Sequence, residues 1–257
     1  GLLKQDQRIL IFNGNWGAYE FFEELEEEIE EKQAVIGETG GMIFIADYDG
    51  EACRIKSIKN RMSAAAFPCD YGEVLVQELE PVLPQLKAEA NVLVTSINNS
   101  NPVIHVPLVM TNFTRIENGE DFLFYGEGAT VSSVHYIEEI DREREAAARA
   151  LGVEFQSCLD IINSFWTEKQ DTLYEALHGN QTYLAVKGPR TLKHRYLEED
   201  LPYGIMPLLA LAKACHVPAP RLKAMAGCFQ CLLGQQTEPA GLSFSRDRLD
   251  SLISYRR

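Results

Sequence analysis

No apolar run in this 257-residue chain approaches the ~20 residues that a bilayer-spanning helix needs. No charged-then-apolar targeting segment opens it either, so the expectation is a soluble protein. Excess positive charge is missing as well: 24 basic residues face 38 acidic ones, a net charge of −14. That balance makes nucleic acid and anionic membranes poor partners. A disulfide framework is lacking, because the six cysteines (53, 69, 158, 215, 228 and 231) are scattered in a manner that suits reduced thiols in a cytoplasm. Cys228 and Cys231 form a C-x-x-C with no second pair, so a four-ligand zinc site is not expected and the two read as neighbours on a helix. Finally, Gly14, Gly17, Gly37, Gly40 and Gly41 do not have the G-x-G-x-x-G spacing that cradles a dinucleotide phosphate.

What is present divides into two textures. From Arg8 to about Thr95, short apolar runs such as "RILIF" (8–12), "AVIGE" (34–38), "GMIFIA" (41–46) and "NVLVTS" (91–96) read as strands. Helical stretches at 19–32 and 71–79 interleave with them, which implies an α/β sheet. The glutamates of "YEFFEELEEEIEEK" form the solvated face of an amphipathic helix, with Phe21, Phe22, Leu25 and Ile29 at helical spacing. Beyond His105 nearly everything is helical: 132–152, closed by Gly152, then 154–166, 171–180, 204–216 and 220–235. Residues 1–97 therefore read as a sheet domain that looks like the second part of a nucleotide-binding fold. Residues 98–257 read as a helical domain, with His105 at the seam, where small-molecule sites form.

Two stretches hold candidate chemistry. In "NNSNPVIHVP" (98–107), His105 stands between apolar residues and prolines, which suits either a core histidine with a satisfied ring or a catalyst in a dry site. In "KHRYLEEDLPYG" (193–204), Asp200 closes an acidic run five residues after Arg195. A histidine that moves protons is usually held by a carboxylate, and Asp200 is the candidate. Taken singly, the acidic run also fits a solvated helix end and Arg195 a surface ion pair.

These stretches, with "VMTNFTRIENGEDFLFYGEG" (109–128), "EEIDRERE" (138–145) and "RYLEEDLPYGIMPLLALAKACHVPAP" (195–220), resemble the NAD(P)-dependent octopine/nopaline (opine) dehydrogenases. The likeness runs from about Ile9 to Gly234 and is most specific from Asn98 onward. It implies a Rossmann-like domain followed by a helical dehydrogenase domain. It also implies a catalytic pair, His105 and Asp200, with Arg195 and Asn101 as substrate-binding residues. The implied reaction joins an L-amino acid to a 2-oxo acid such as pyruvate and reduces the resulting imine with NADH or NADPH. The implied partners are those small molecules, with a homodimer as the candidate assembly. The family's first nucleotide-binding half has no counterpart here, so this chain alone is expected to bind the dinucleotide weakly and to be inactive. Two other readings compete. One is a non-catalytic helical module for ligand binding or dimerisation. The other is a hydroxy-acid or sugar-phosphate dehydrogenase, for which a lysine is expected in the segment where none stands.

Overall fold

The computed structural model describes residues 1–48, 50–234 and 244–256. The chain folds as two compact units, Gly1–Asn99 with Phe244–Arg257 and Ser100–Ser243. No described helix is long and apolar enough to cross a membrane.

The first unit is α/β. Strand β1 (Arg8–Ile11) leads through helix α1 (Gly17–Glu31) into β2 (Val35–Thr39), which pairs parallel to β1 with Ile9 opposite Ile36. Every residue of β2 is buried, as expected of a strand covered on both faces. Strands β3 (Phe44–Tyr48) and β4 (Cys53–Ile58) form a separate antiparallel hairpin. β5 (Met62–Phe67) then returns antiparallel to β2, and after helix α2 (Gly72–Leu79) the short β6 (Leu86–Ala88) pairs parallel to β5. The main sheet thus has the order β1-β2-β5-β6. α1 buries Tyr19, Phe22 and Ile29 and leaves most of its glutamates partly or fully exposed, the amphipathic division read from the sequence.

The run "NVLVTS" is not a strand. It forms helix α3 (Val92–Ile97), whose six residues are all buried. The Asn91 side chain accepts from the backbone N–H groups of Leu93 and Val94 at 3.1 and 3.3 Å. A segment buried on every side carries no polar period to reveal its pitch, and the capping asparagine decides for helix.

Among the described residues, the regular elements of the second unit are helices, with one isolated β-bridge between Leu123 and Lys187. The unit comprises α4 (Ser100–Thr111), α5 (Phe113–Glu117), α6 (Val131–Leu151), α7 (Cys158–Phe165), α8 (Leu173–His178), α9 (Gln181–Leu184), α10 (Arg195–Glu198), a π-helical turn at Leu201–Ile205, α11 (Met206–Ala214) and α12 (Pro220–Leu233). α6 ends at Gly152 in the left-handed conformation, and α7 opens with a capping box between Ser157 and Asp160. Cys228 and Cys231 lie on α12 as free thiols; Gln235, to which that helix was expected to run, lies outside the described residues.

One helix changes sides. α13 (Arg246–Ser254), counted with the helical domain in the sequence reading, packs against α3 in the first unit. Arg248 pairs there with Glu23 and Glu26 of α1 at 3.0 and 2.9 Å, and Tyr255 stacks on Phe67. The acidic face of α1 is therefore partly answered from the far end of the chain.

Glu38, at the carboxyl end of β2, is fully buried. It accepts from the Thr95 and Ser96 hydroxyls and from the Ala18 N–H, so it ties α3 to the start of α1. Burial pushes its carboxyl above the usual range, against the opposing pull of those three hydrogen bonds. A carboxyl raised in the folded state stabilises fully below its unfolded value and loses that contribution as pH rises through the folded value. Glu38→Gln should therefore raise the thermal midpoint above that of the parent protein at pH 8, and the gap should close at pH 4. Thermal unfolding across that range checks it, and a gap independent of pH would count against the charged carboxylate as the cause.

Candidate active site

α4 is the element that presents the histidine. Pro102 sits in its first turn, where a missing N–H costs no helical bond, and Pro107 lies inside it. His105 falls between them and is 5% exposed. Its Nδ1 lies 2.8 Å from Asp200 Oδ2, and its Nε2 lies 2.9 Å from the Tyr125 hydroxyl. A carboxylate can only accept, so Nδ1 carries the proton and donates to Asp200, which fixes the tautomer of the neutral ring. Tyr196 packs on the imidazole with centroids 4.2 Å apart, and Phe124 stacks in turn on Tyr196.

Asp200 reaches His105 because the backbone after α10 approaches α4 closely. It stands immediately before the π-helical turn. A Cβ on Gly204 of that turn would lie 2.2 Å from Pro102 Cγ, so glycine is what allows the approach. π-helical turns recur at functional sites because they displace one side chain from the regular helical course.

Tyr125 comes from the loop between α5 and α6. Phe124 N–H donates to Val186 O and Gly188 N–H to Phe122 O, both at 2.8 Å, which fixes the loop against the segment after α9. Asn112 donates to Leu108 O at 2.9 Å and Gly128 O at 3.1 Å, joining the loop to the end of α4. Burial holds the Tyr125 phenol well above its ordinary range; the neighbouring Tyr196, Tyr183 and Asp200 add to that effect and Arg195 opposes it. Tyr183 and Tyr196 are each pushed up to about 12, chiefly by burial. Burial likewise lowers His194, with Arg195 and His105 reinforcing it.

The remaining expected residues have different surroundings. Arg195 is exposed, its guanidinium 5.6 Å from the centroid of the Tyr196 ring, and it has no carboxylate partner among the described residues. Asn101 lies one turn ahead of His105 on α4 and is half-buried; the ring nitrogens are taken by Asp200 and Tyr125 rather than by it. Tyr125 and Tyr196 were not singled out from the sequence, although both stand inside stretches that carried the resemblance. Among the described residues, no group of three or more His, Cys, Asp or Glu could hold a metal ion. A cleft of about 280 Å³ opens elsewhere in this unit, lined by Ile162, Asn163, Trp166 and Gln170 among others.

Residues 88–233 match the family described as NAD/NADP octopine/nopaline dehydrogenase, alpha-helical domain. The chain is 32% identical over 250 residues to the opine dehydrogenase of Arthrobacter sp. (strain 1C), which covers 94% of this chain and 69% of that enzyme. Among solved structures it resembles yersinopine dehydrogenase (TM-score 0.69, 16% identity, 96% of this chain and 71% of that one). It also resembles octopine dehydrogenase in complex with NADH and agmatine (TM-score 0.66, 18% identity, 87% and 66%). The chain thus spans about two thirds of the length of these proteins. The structural likeness is one of fold: a Rossmann-like sheet unit and a helical unit.

The loop that carries Tyr125 depends on Gly128, where a Cβ would lie 2.4 Å from the Phe124 carbonyl oxygen. Gly128→Ala should destabilise the protein by about 1–3 kcal/mol, the usual cost of overpacking. Thermal or denaturant unfolding measures it, and unchanged stability would mean that the loop yields without strain.

Proposed function

The chain belongs to the NAD/NADP octopine/nopaline dehydrogenase family, and from that premise we propose that it carries the acid–base and substrate-binding half of an opine dehydrogenase. The reaction joins the amino group of an L-amino acid to the carbonyl carbon of a 2-oxo acid such as pyruvate. It then reduces the resulting imine to a secondary amine, and it is reversible. The observation that carries the reading is the buried contact of His105 with Asp200, beside an arginine with no carboxylate partner among the described residues.

Loss of the carbonyl oxygen as water needs an acid, and the reverse reaction needs a base. A histidine serves both directions when a carboxylate orients it and favours the imidazolium. Asp200 fills that supporting role, and its charge is unchanged over the cycle. Arg195 offers a planar fork that matches a substrate carboxylate, and Asn101 is proposed as a further polar contact to substrate. The buried aromatic wall of Phe124 and Tyr196 beside the imidazole excludes water, which strengthens these interactions.

NAD or NADP is the proposed cofactor and, when bound, supplies the hydride. The β1–α1–β2 crossover offers the usual location for such a group, outside the carboxyl ends of parallel strands. The described residues include no G-x-G-x-x-G loop, so none of them is assigned to the pyrophosphate.

His105→Ala should lower kcat by roughly 10²–10⁴-fold in the complete enzyme. Steady-state rates with an amino acid, pyruvate and NAD(P)H measure it, and a variant within about threefold of the parent would return His105 to the role of a core residue. Arg195→Lys should raise KM for the 2-oxo acid on the order of tenfold, more than for the amino acid, because an ammonium cannot reproduce the two-pronged contact. Equal effects on both KM values would assign Arg195 elsewhere.

A further inference from the structure

On the reading just given, the nitrogen of His105 that should serve the substrate is Nε2, because Nδ1 is committed to Asp200. That nitrogen is already occupied by the hydroxyl of Tyr125 at 2.9 Å. Tyr125 is 6% exposed, and its ring is held 5.1 Å from Phe124 and 5.2 Å from Tyr183. Backbone hydrogen bonds and Asn112 hold its loop on both sides. Displacing this side chain to let a substrate oxygen reach Nε2 would require repacking that wall.

A hydroxyl differs from other partners in that it both donates and accepts. When His105 is neutral, Tyr125 O–H donates to Nε2. When the ring is protonated, Nε2–H donates to the tyrosine oxygen, and the hydroxyl proton is turned outward. One side chain thus satisfies the ring in both of its states, and in the protonated state it leaves the hydroxyl proton for a substrate oxygen to accept.

We propose that Tyr125 is the proton relay of this site, the group that touches the reacting substrate oxygen in place of His105. In the condensing direction the tyrosine hydroxyl gives its proton to the hydroxyl oxygen of the carbinolamine and takes the Nε2 proton of the imidazolium in the same step. The carbon–oxygen bond breaks, its electron pair leaves with the oxygen as water, and the nitrogen lone pair forms the carbon–nitrogen double bond. His105 ends neutral, Tyr125 ends as the phenol it began as, and Asp200 keeps its charge. In the reverse direction the same two protons move back. Because the two transfers are concerted, a free phenolate never has to form in this buried place.

The relay rests on the proposed opine dehydrogenase reading, and the tests separate the two. Tyr125→Phe in the complete enzyme should lower kcat by roughly 10²-fold with KM values little changed, as for loss of a proton-transfer group. Replacing Tyr125 with fluorotyrosines of graded acidity keeps the shape and the hydrogen bond. In that series a relay makes the logarithm of kcat follow the acidity of the phenol, whereas a merely structural hydroxyl leaves it flat. His105→Gln is the control for the parent reading. If it abolishes turnover while Tyr125→Phe stays within about threefold of the parent, or the fluorotyrosine series is flat, the relay is overturned and the acid–base role of His105 stands. If His105→Gln retains turnover, the parent reading falls and the relay falls with it. The contact can also be read without turnover: in protein carrying ring-¹⁵N histidine, Tyr125→Phe should move the Nε2 resonance of His105, and an unmoved resonance would overturn the proposal.

Discussion

The buried hydrogen bond between His105 and Asp200 is the constraint around which the helical unit is arranged. Each side chain is at most 7% exposed, so neither can turn to water for a partner. Removing one member of such a pair leaves the other stranded, at a cost of about 3–5 kcal/mol for buried charged groups. The close approach at Gly204 and Pro102, the π-helical turn and the aromatic cover of Tyr196 all bring a carboxylate 95 residues distant onto the ring. The same cover leaves Tyr125 as the partner on the other nitrogen, so the histidine is gripped from both ends before any substrate arrives.

Much of what surrounds this pair is framework. In "EEIDRERE", Arg144 is wholly buried and donates from Nε to Asp141 at 2.8 Å, while Asp141 also accepts the Cys158 N–H at the start of α7. Glu143 accepts the N–H groups of Arg221 and Leu222 at 2.8 and 2.9 Å and so caps the first turn of α12. These charges therefore act as joints between helices rather than as participants in chemistry. The stretches that carry the resemblance thus hold both the candidate pair and charges that join helices, and the contacts sort one kind from the other.

The first unit follows the same logic with a different core. Glu38 gathers hydroxyls from α3 and an N–H from the start of α1, so the loop leaving β1 is held by a carboxyl that burial disfavours as an anion. In that loop Asn13, Asn15 and Trp16 adopt positive φ, a conformation that costs free energy for residues other than glycine. Asn99 donates to the side chains of Asn13 and Asn15, which supports the strained turn.

The sequence by itself determined what depends on neighbours three or four residues apart. The amphipathic α1, the glycine stop of α6, the placement of the C-x-x-C on α12 and the change from α/β to all-helical texture were legible because turns, caps and helical faces are local. His105 and Asp200 were legible as a candidate pair through the motifs around them, and their contact required the fold. Tertiary structure alone decided that "NVLVTS" is a helix, because total burial erases the polar alternation that a pattern needs. It alone decided that α13 joins the first unit, since a helix shows which face is apolar but not which partner covers it. It also put Tyr125 on the second nitrogen of His105, because a hydrogen bond between residues on separate elements depends on how those elements pack, and no spacing along the chain encodes that.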